Sequence, residues 1–205
     1  MTRPSYWPEA TDYLSRRDTV MADLIRRYPE TLERRGDSFQ TLARAIVGQQ
    51  ISIIAADSVW ERLEQVAGEV TPDSLMVLPP DQLQSAGLSR SKVNYLRNIA
   101  KVYLERAITD EYWQNQPFEQ TRKELLAIKG IGPWTVEMFA IFHLHEPDIF
   151  SPADIGVQKA IARLYFEGEP VGKTELEAFS HRWCPYRTVA LWYLWRHLDP
   201  VPVIY

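Results

Sequence analysis

The chain has 205 residues, 45% of them hydrophobic, and a formal net charge of -4, which suits one large or two small globular domains with a real core. Its single cysteine, Cys184, excludes an internal disulfide and any four-cysteine zinc site or iron-sulfur cluster built within the chain. The acidic balance argues against a uniformly basic phosphate-binding surface. No apolar run approaches the roughly 20 residues of a membrane span, and Met1 to Leu14 carry Pro4, Pro8, Glu9 and Asp12, so a soluble intracellular protein in a reducing compartment is expected.

Apolar residues recur at helical spacing rather than in alternation, as in Phe39, Leu42, Ala43, Ile46 and Val47, and again in Ala55, Ala56, Val59, Trp60 and Leu63. Breaks at Tyr28-Pro29, Gly36-Asp37, Gly48, Thr71-Pro72, Pro79-Pro80, Gly87, Pro117, Gly130 to Pro133, Pro147, Pro152, Pro170 and Pro185 predict an all-α chain of about ten helices. There is no internal repeat, low-complexity segment or long linker. Between Gly48 and Ser52 one helix stops and Ser52 is placed to cap the next, with Gln49 and Gln50 in a polar turn. Arg90, Lys92, Arg97, Lys101 and Arg106 form one basic stretch, and Arg182, Arg187 and Arg196 a second. These stretches either face one anionic partner or simply solvate helix faces.

From Leu125 to Phe139 the chain reads LLAIKGIGPWTVEMF: a helix-forming segment, two glycines two apart, then a second amphipathic helix. Gly130 and Gly132 allow backbone dihedrals closed to other residues and leave no side chain over the amides, so a phosphate can approach the N–H groups at the second helix's start. Oriented amides hold an anion without formal charge, which answers part of the objection from net charge. The plainer alternative is a helical hairpin whose glycines only make a tight turn.

Further on comes DIFSPADIGVQK, Asp148 to Lys159. Ser151-x-x-Asp154 is a capping pattern, with Pro152 suited to a first helical position and Asp154 favourable at a helix N-terminus.

Taken together, the Leu-x-x-Ile-Lys-Gly-Ile-Gly-x-Trp-Thr hairpin, the Phe150-x-Pro152 segment leading to Asp154 and the GQQIS turn resemble the helix-hairpin-helix DNA glycosylases, most closely the 3-methyladenine DNA glycosylase II branch. The resemblance runs from about Gln40 to Trp195. It implies two helical subdomains flanking a DNA-binding cleft, one from 37–146 with the hairpin and one discontinuous, from 1–36 and 147–205. It implies excision of alkylated purines such as 3-methyladenine, 7-methylguanine or ethenoadenine from double-stranded DNA after base flipping. Asp154 takes the position of the catalytic aspartate, with Asp148 in reserve, and Ala153 stands where many relatives carry a second acid. A fixed carboxylate would stabilise the positive charge that develops on the sugar and orient the attacking water.

The resemblance assigns Lys129, Gly130, Gly132 and Thr135 to DNA contact, Lys129 standing where a proline is usual, and Gln50 to the gap left by the flipped base. Trp134 and Trp195 fall where the family places pocket aromatics that stack on a cationic base, and Met138 falls where a pocket tyrosine can occur. Related enzymes that also cut the backbone use a lysine at the position of Trp134, which favours a monofunctional enzyme here and leaves open a lysine from elsewhere. No cofactor is required, although carbonyls of Leu126, Ile128 and Ile131 are expected to be able to hold a monovalent cation. A monomer with no membrane partner is expected. The competing readings are a non-catalytic DNA-binding hairpin module, in which Asp154 only caps a helix, and a helical protein-interaction domain.

Overall fold

The computed structural model describes residues 3–34 and 36–199. Its α-helices are α1 (Trp7–Arg17), α2 (Thr19–Arg27), α3 (Ser38–Gly48), α4 (Ile53–Ala67), α5 (Pro72–Val77), α6 (Pro80–Ser85), α7 (Arg90–Arg106), α8 (Asp110–Gln114), α9 (Phe118–Leu126), α10 (Pro133–Phe139), α11 (Ile155–Tyr165), α12 (Lys173–Ser180) and α13 (Arg187–Leu198). A π-helical turn, Ala140–Leu144, follows α10, and a 3-10 turn, His181–Trp183, precedes α13. Among the described residues there is no β-strand, as expected, and no helix is long and apolar enough to cross a membrane.

There are more helices than the break signals suggest because short ones begin at prolines. Pro72 and Pro80 each sit at a first helical position, where the missing N–H costs nothing. Thr71 adds a reciprocal cap, its hydroxyl accepting from Ser74 N–H while Ser74 accepts from Thr71 N–H. The break between α1 and α2 carries no glycine or proline. Asp18 makes it, its extended backbone ending one helix while its Oδ1 accepts from Val20 and Met21 N–H to start the next.

The helices form two compact units, one from the described parts of 1–35 and 140–204, the other from 36–139. The second boundary therefore lies between Phe139 and Ala140, upstream of the expected one at Pro147. No glycine or proline marks it, because α10 runs straight into the π-helical turn. That turn belongs to the discontinuous unit: Phe142 stacks on Trp195 of α13, with centroids 5.9 Å apart and 15° between planes.

In the central unit α3 is the core helix, burying Phe39, Leu42, Ala43, Ile46 and Val47 against α7, α10 and α4. Tyr103, Trp113 and Phe139 extend that core, with Trp113 Nε1 donating to Tyr103 Oη at 2.9 Å. The discontinuous unit is built around α13, whose residues Thr188 to Arg196 are all buried, against α11, α2 and α1. A helix buried on all sides reads as continuous apolar sequence, and Val189 to Trp195 does.

Asp18 joins the early and late segments of this unit. Besides capping α2, it accepts at Oδ2 from Tyr165 Oη at 2.9 Å and Trp183 Nε1 at 3.0 Å. Removing it strips a cap and leaves two partly buried donors without their acceptor. Asp18→Ala is expected to lower stability by about 3 kcal/mol, and Asp18→Asn by less, since an amide oxygen can retain the cap. Urea denaturation followed by circular dichroism measures both; a change below about 0.5 kcal/mol for Asp18→Ala, the scale of an ordinary surface substitution, would remove Asp18 from this role.

Candidate DNA-binding and catalytic residues

In the central unit α9 ends at Leu126 and the chain turns through Ile128 N–H to Leu125 O and Ile131 N–H to Ile128 O before α10 begins at Pro133. Gly130 has φ +109°, and a Cβ there would stand 2.3 Å from Tyr95 of α7, so this glycine is required both by its backbone and by the ring beneath it. Gly132 differs. A Cβ built on it meets nothing within 4 Å, so its outer side is open. Lys129 is exposed, and its carbonyl accepts from Asn98 Nδ2 at 2.9 Å. Of the carbonyls expected to hold a monovalent cation, that of Ile128 accepts one hydrogen bond, from Ile131 N–H.

The turn after α3 is tied to this hairpin. Gln49 Nε2 donates to Gly130 O at 3.2 Å and to Thr135 Oγ1 at 3.0 Å. Thr135, which the resemblance assigns to DNA contact, is 1% exposed, and its hydroxyl accepts in this internal link. Gln50 is exposed, in the left-handed region with φ +60°, and Ser52 caps α4 through Ala55 N–H as expected. Beside Gln50 the apolar side chains of Ile51 and Ile54 are exposed. Lys92 closes the end of α3 by donating from Nζ to Val47 O at 2.7 Å, and burial lowers its pKa from the usual lysine value. Trp134 is half-buried at the start of α10, while Met138 is 1% exposed and packed within the unit.

In the discontinuous unit Asp154 is itself the N-cap of α11. The sequence allowed Ser151 as cap with Pro152 in the first turn; instead Ser151 is fully buried, its carbonyl accepts Asp154 N–H, and the helix starts at Ile155. Asp154 Oδ1 accepts from Val157 N–H at 2.9 Å and from Trp195 Nε1 at 3.1 Å. Trp195 was expected as an open stacking face. It is 7% exposed, lies against Phe142 on one face and points its N–H at the carboxylate. Gly156 makes room for this contact: a Cβ there would fall 3.0 Å from Asp154 Oδ1 and 3.3 Å from Trp195 Cδ1.

Asp148, the reserve carboxylate, is committed elsewhere. Arg187 grips it with Nε at 2.8 Å to Oδ1 and one terminal nitrogen at 3.1 Å to Oδ2, and also reaches Glu177 at 3.1 Å. The basic stretches are likewise largely engaged within the protein. Arg97 donates to Leu78 O, Arg106 pairs with Glu124, Arg196 is buried beside Glu30 and the carbonyl of Asp199, and Arg182 lies 3.7 Å over the Phe179 ring. Neither stretch forms a continuous exposed strip of free cations, because helix C-termini and carboxylates nearby take them up. Among the described residues no group of three or more His, Cys, Asp or Glu could hold a metal ion.

Comparison with known proteins follows the same lines. The YfjP protein of Bacillus subtilis is 29% identical over 78% of this chain, which spans 59% of that protein's length. DNA-3-methyladenine glycosylase 1 of Schizosaccharomyces pombe is 28% identical, covering 86% of this chain and 79% of that protein. The solved complex of the S. pombe 3-methyladenine DNA glycosylase Mag1 with abasic DNA superposes with a TM-score of 0.84 at 27% identity, over 92% of this chain and 95% of that one. With residues 43–186 matching the family's model, the chain belongs to the HhH-GPD superfamily of base excision DNA repair proteins.

Proposed function

We propose that the chain is a monofunctional DNA glycosylase that hydrolyses the N-glycosidic bond of alkylated purines extruded from duplex DNA, with Asp154 as the catalytic carboxylate. The observation that carries this reading is the double anchoring of one oxygen: Val157 N–H and Trp195 Nε1–H converge on Asp154 Oδ1. Departure of the base with the bonding electron pair leaves positive charge on the sugar. An anion already held in place stabilises that charge without reorganising, and the same carboxylate orients the water that adds to the anomeric carbon and takes the proton that this water gives up. A purine alkylated at a ring nitrogen is a cation and a good leaving group, so one carboxylate suffices. A non-catalytic hairpin module would account for a capped Asp154, but not for the space kept by Gly156 around the tryptophan contact.

In this reading Trp195 is a positioning residue rather than a stacking platform, and Trp134 is the aromatic assigned to the extruded base. The hairpin takes a backbone phosphate on the outward side of Gly132. A monovalent cation held by the carbonyls of Leu126, Ile128 and Ile131 would supply a positive charge shared with that phosphate. Gln50, exposed in its left-handed turn, fills the place of the extruded base and is held in register through Gln49.

Replacing Gly132 by leucine tests the hairpin with little risk to the fold, since the new side chain enters open space. Affinity for damaged and undamaged duplexes is expected to fall together, because phosphate contacts position the protein without reading sequence. Wild-type affinity in the folded variant would take the hairpin out of DNA binding. Gly130 is unsuitable for this purpose, as Tyr95 fills the space.

Gly156→Ala tests the anchoring. Trp195, backed by Phe142, and Asp154, held by the helix start, have little room to yield, so the carboxylate should shift by a few tenths of an ångström. Single-turnover base release is expected to drop about tenfold with duplex affinity kept. Combined with Asp154→Asn, the alanine should cost almost nothing further, since the two act through one contact. Full additivity would show that Gly156 acts elsewhere.

Asp154→Asn is the decisive variant. The amide oxygen can still accept from both Val157 and Trp195, so fold and duplex binding should survive while the charge is lost. Release of 7-methylguanine is expected to fall by a factor on the order of 100 to 1,000, equivalent to about 3 to 4 kcal/mol, and release of the neutral adduct ethenoadenine by more. Near-normal single-turnover rates on both, measured by chromatography of the freed bases, would leave Asp154 as a helix cap only.

A further inference from the structure

Beside the hairpin, within the central unit, lies an open recess of about 520 Å³. One wall is a single face of α7: Ser91, Asn94, Tyr95, Asn98 and Lys101 follow one another at helical spacing over about 15 Å of helix. Lys129 of the hairpin and Arg97 also contribute to the lining. The lining therefore holds three cations and no carboxylate. This is the reverse of the chain as a whole, whose net charge is -4.

The recess is joined to the hairpin. Asn98 Nδ2 donates to Lys129 O, and Tyr95 lies directly beneath Gly130, so its wall and the glycine turn hold a fixed relation. Arg97 is anchored by donation to Leu78 O at 2.9 Å. Lys101 has Glu105 one turn along the helix at 3.6 Å, but both side chains are more than 60% exposed, and such a pair is weak and readily exchanged for another anion. Ser91 and Asn94 are exposed and supply neutral donors between the charges.

We propose that this recess is a second anion subsite, one that takes a backbone phosphate of the same duplex next to the phosphate at Gly132. The proposal rests on the reading of the hairpin as the DNA contact and extends it along α7. A phosphodiester suits the polar part of the lining because it accepts from ammonium, amide and hydroxyl donors at once; Met76 and the Tyr95 ring complete the recess. It also explains how a chain whose other cations are mostly engaged internally gains affinity for a polyanion: the hairpin supplies amides, and the recess supplies formal charge beside them.

The test uses the full chain and a fluorescently labelled undamaged duplex, with affinity measured by anisotropy over a range of salt concentrations. Each phosphate contact contributes about 0.9 to the slope of log affinity against log salt. Lys101→Gln is expected to lower that slope by about 0.9 and to weaken binding most at low salt, while Lys101→Arg restores both. Asn94→Ala should weaken binding with the slope unchanged, because a neutral donor releases no counterion. Matching circular dichroism and melting curves establish that the variants are folded. A Lys101→Gln protein with wild-type slope and affinity would overturn the recess while leaving the hairpin reading intact. A slope lowered by Lys129→Gln but not by Lys101→Gln would also overturn it, since the charge would then belong to the hairpin alone. If the wild-type chain itself shows no salt-dependent duplex binding, the hairpin reading fails first and takes this subsite with it.

Discussion

The contact on which the proposed chemistry depends is the hydrogen bond from Trp195 Nε1 to Asp154 Oδ1. A helix cap alone would place a carboxylate at the start of α11 and leave it some freedom in its side-chain torsions. A second donor on the same oxygen removes that freedom. The donor is itself immobile, because its ring is buried and backed by Phe142, and Phe142 is placed by the π-helical turn after α10. Gly156 leaves the gap that allows the two groups to meet. The direction of one carboxylate is thus set by residues from three separate segments, each of which looks like ordinary core in isolation.

A second constraint concerns charge. A protein that holds DNA while carrying a net charge of -4 cannot depend on its average surface potential. The structure makes the difficulty sharper, since Lys92, Arg97, Arg106, Arg187 and Arg196 all satisfy carbonyls or carboxylates within the protein. The two features proposed to offset this are local: amides at a glycine turn whose outer side is open, and a small lining in which cations, Arg97 among them, outnumber acids. Local fields act within about a Debye length, roughly 8 Å at physiological salt, so acidic groups farther than that from the proposed phosphate contacts are largely screened.

Much of this was legible in the sequence where the controlling physics is local. The glycines of the hairpin, Ser52 as a cap, the helical periodicity of α3 and α4 and the helix start near Asp154 all depend on a few adjacent residues. What was not legible depends on partners far along the chain. Trp195 read as a stacking ring because its position in the family suggested one; nothing within ten residues of it reveals that its N–H meets a carboxylate 41 residues away. Gln49 and Thr135, 86 residues apart, are joined by a hydrogen bond that no spacing rule predicts. Asp148 looked available as the reserve catalyst because Arg187, which pairs with it, lies 39 residues away. The domain boundary after Phe139 was missed for the opposite reason: the helix crosses it unbroken, so there was no local signal to find.

The two adjacent glutamines illustrate how one turn can divide a structural role from the recognition role proposed for Gln50. Gln49 faces inward and spends its amide on Gly130 and Thr135; Gln50, in the left-handed region, faces outward. A residue without a β-branch tolerates that backbone better than valine or isoleucine would, which limits what can occupy the position. Because Gln49 bonds to the carbonyl of Gly130, the turn that presents Gln50 and the turn proposed to take a phosphate cannot shift independently. In the proposed function, binding energy gained at the backbone would thereby be coupled to the depth at which Gln50 is presented. That coupling is what a base-extruding enzyme needs, since unstacking costs a few kcal/mol per base and must be offset by contacts made at the same moment.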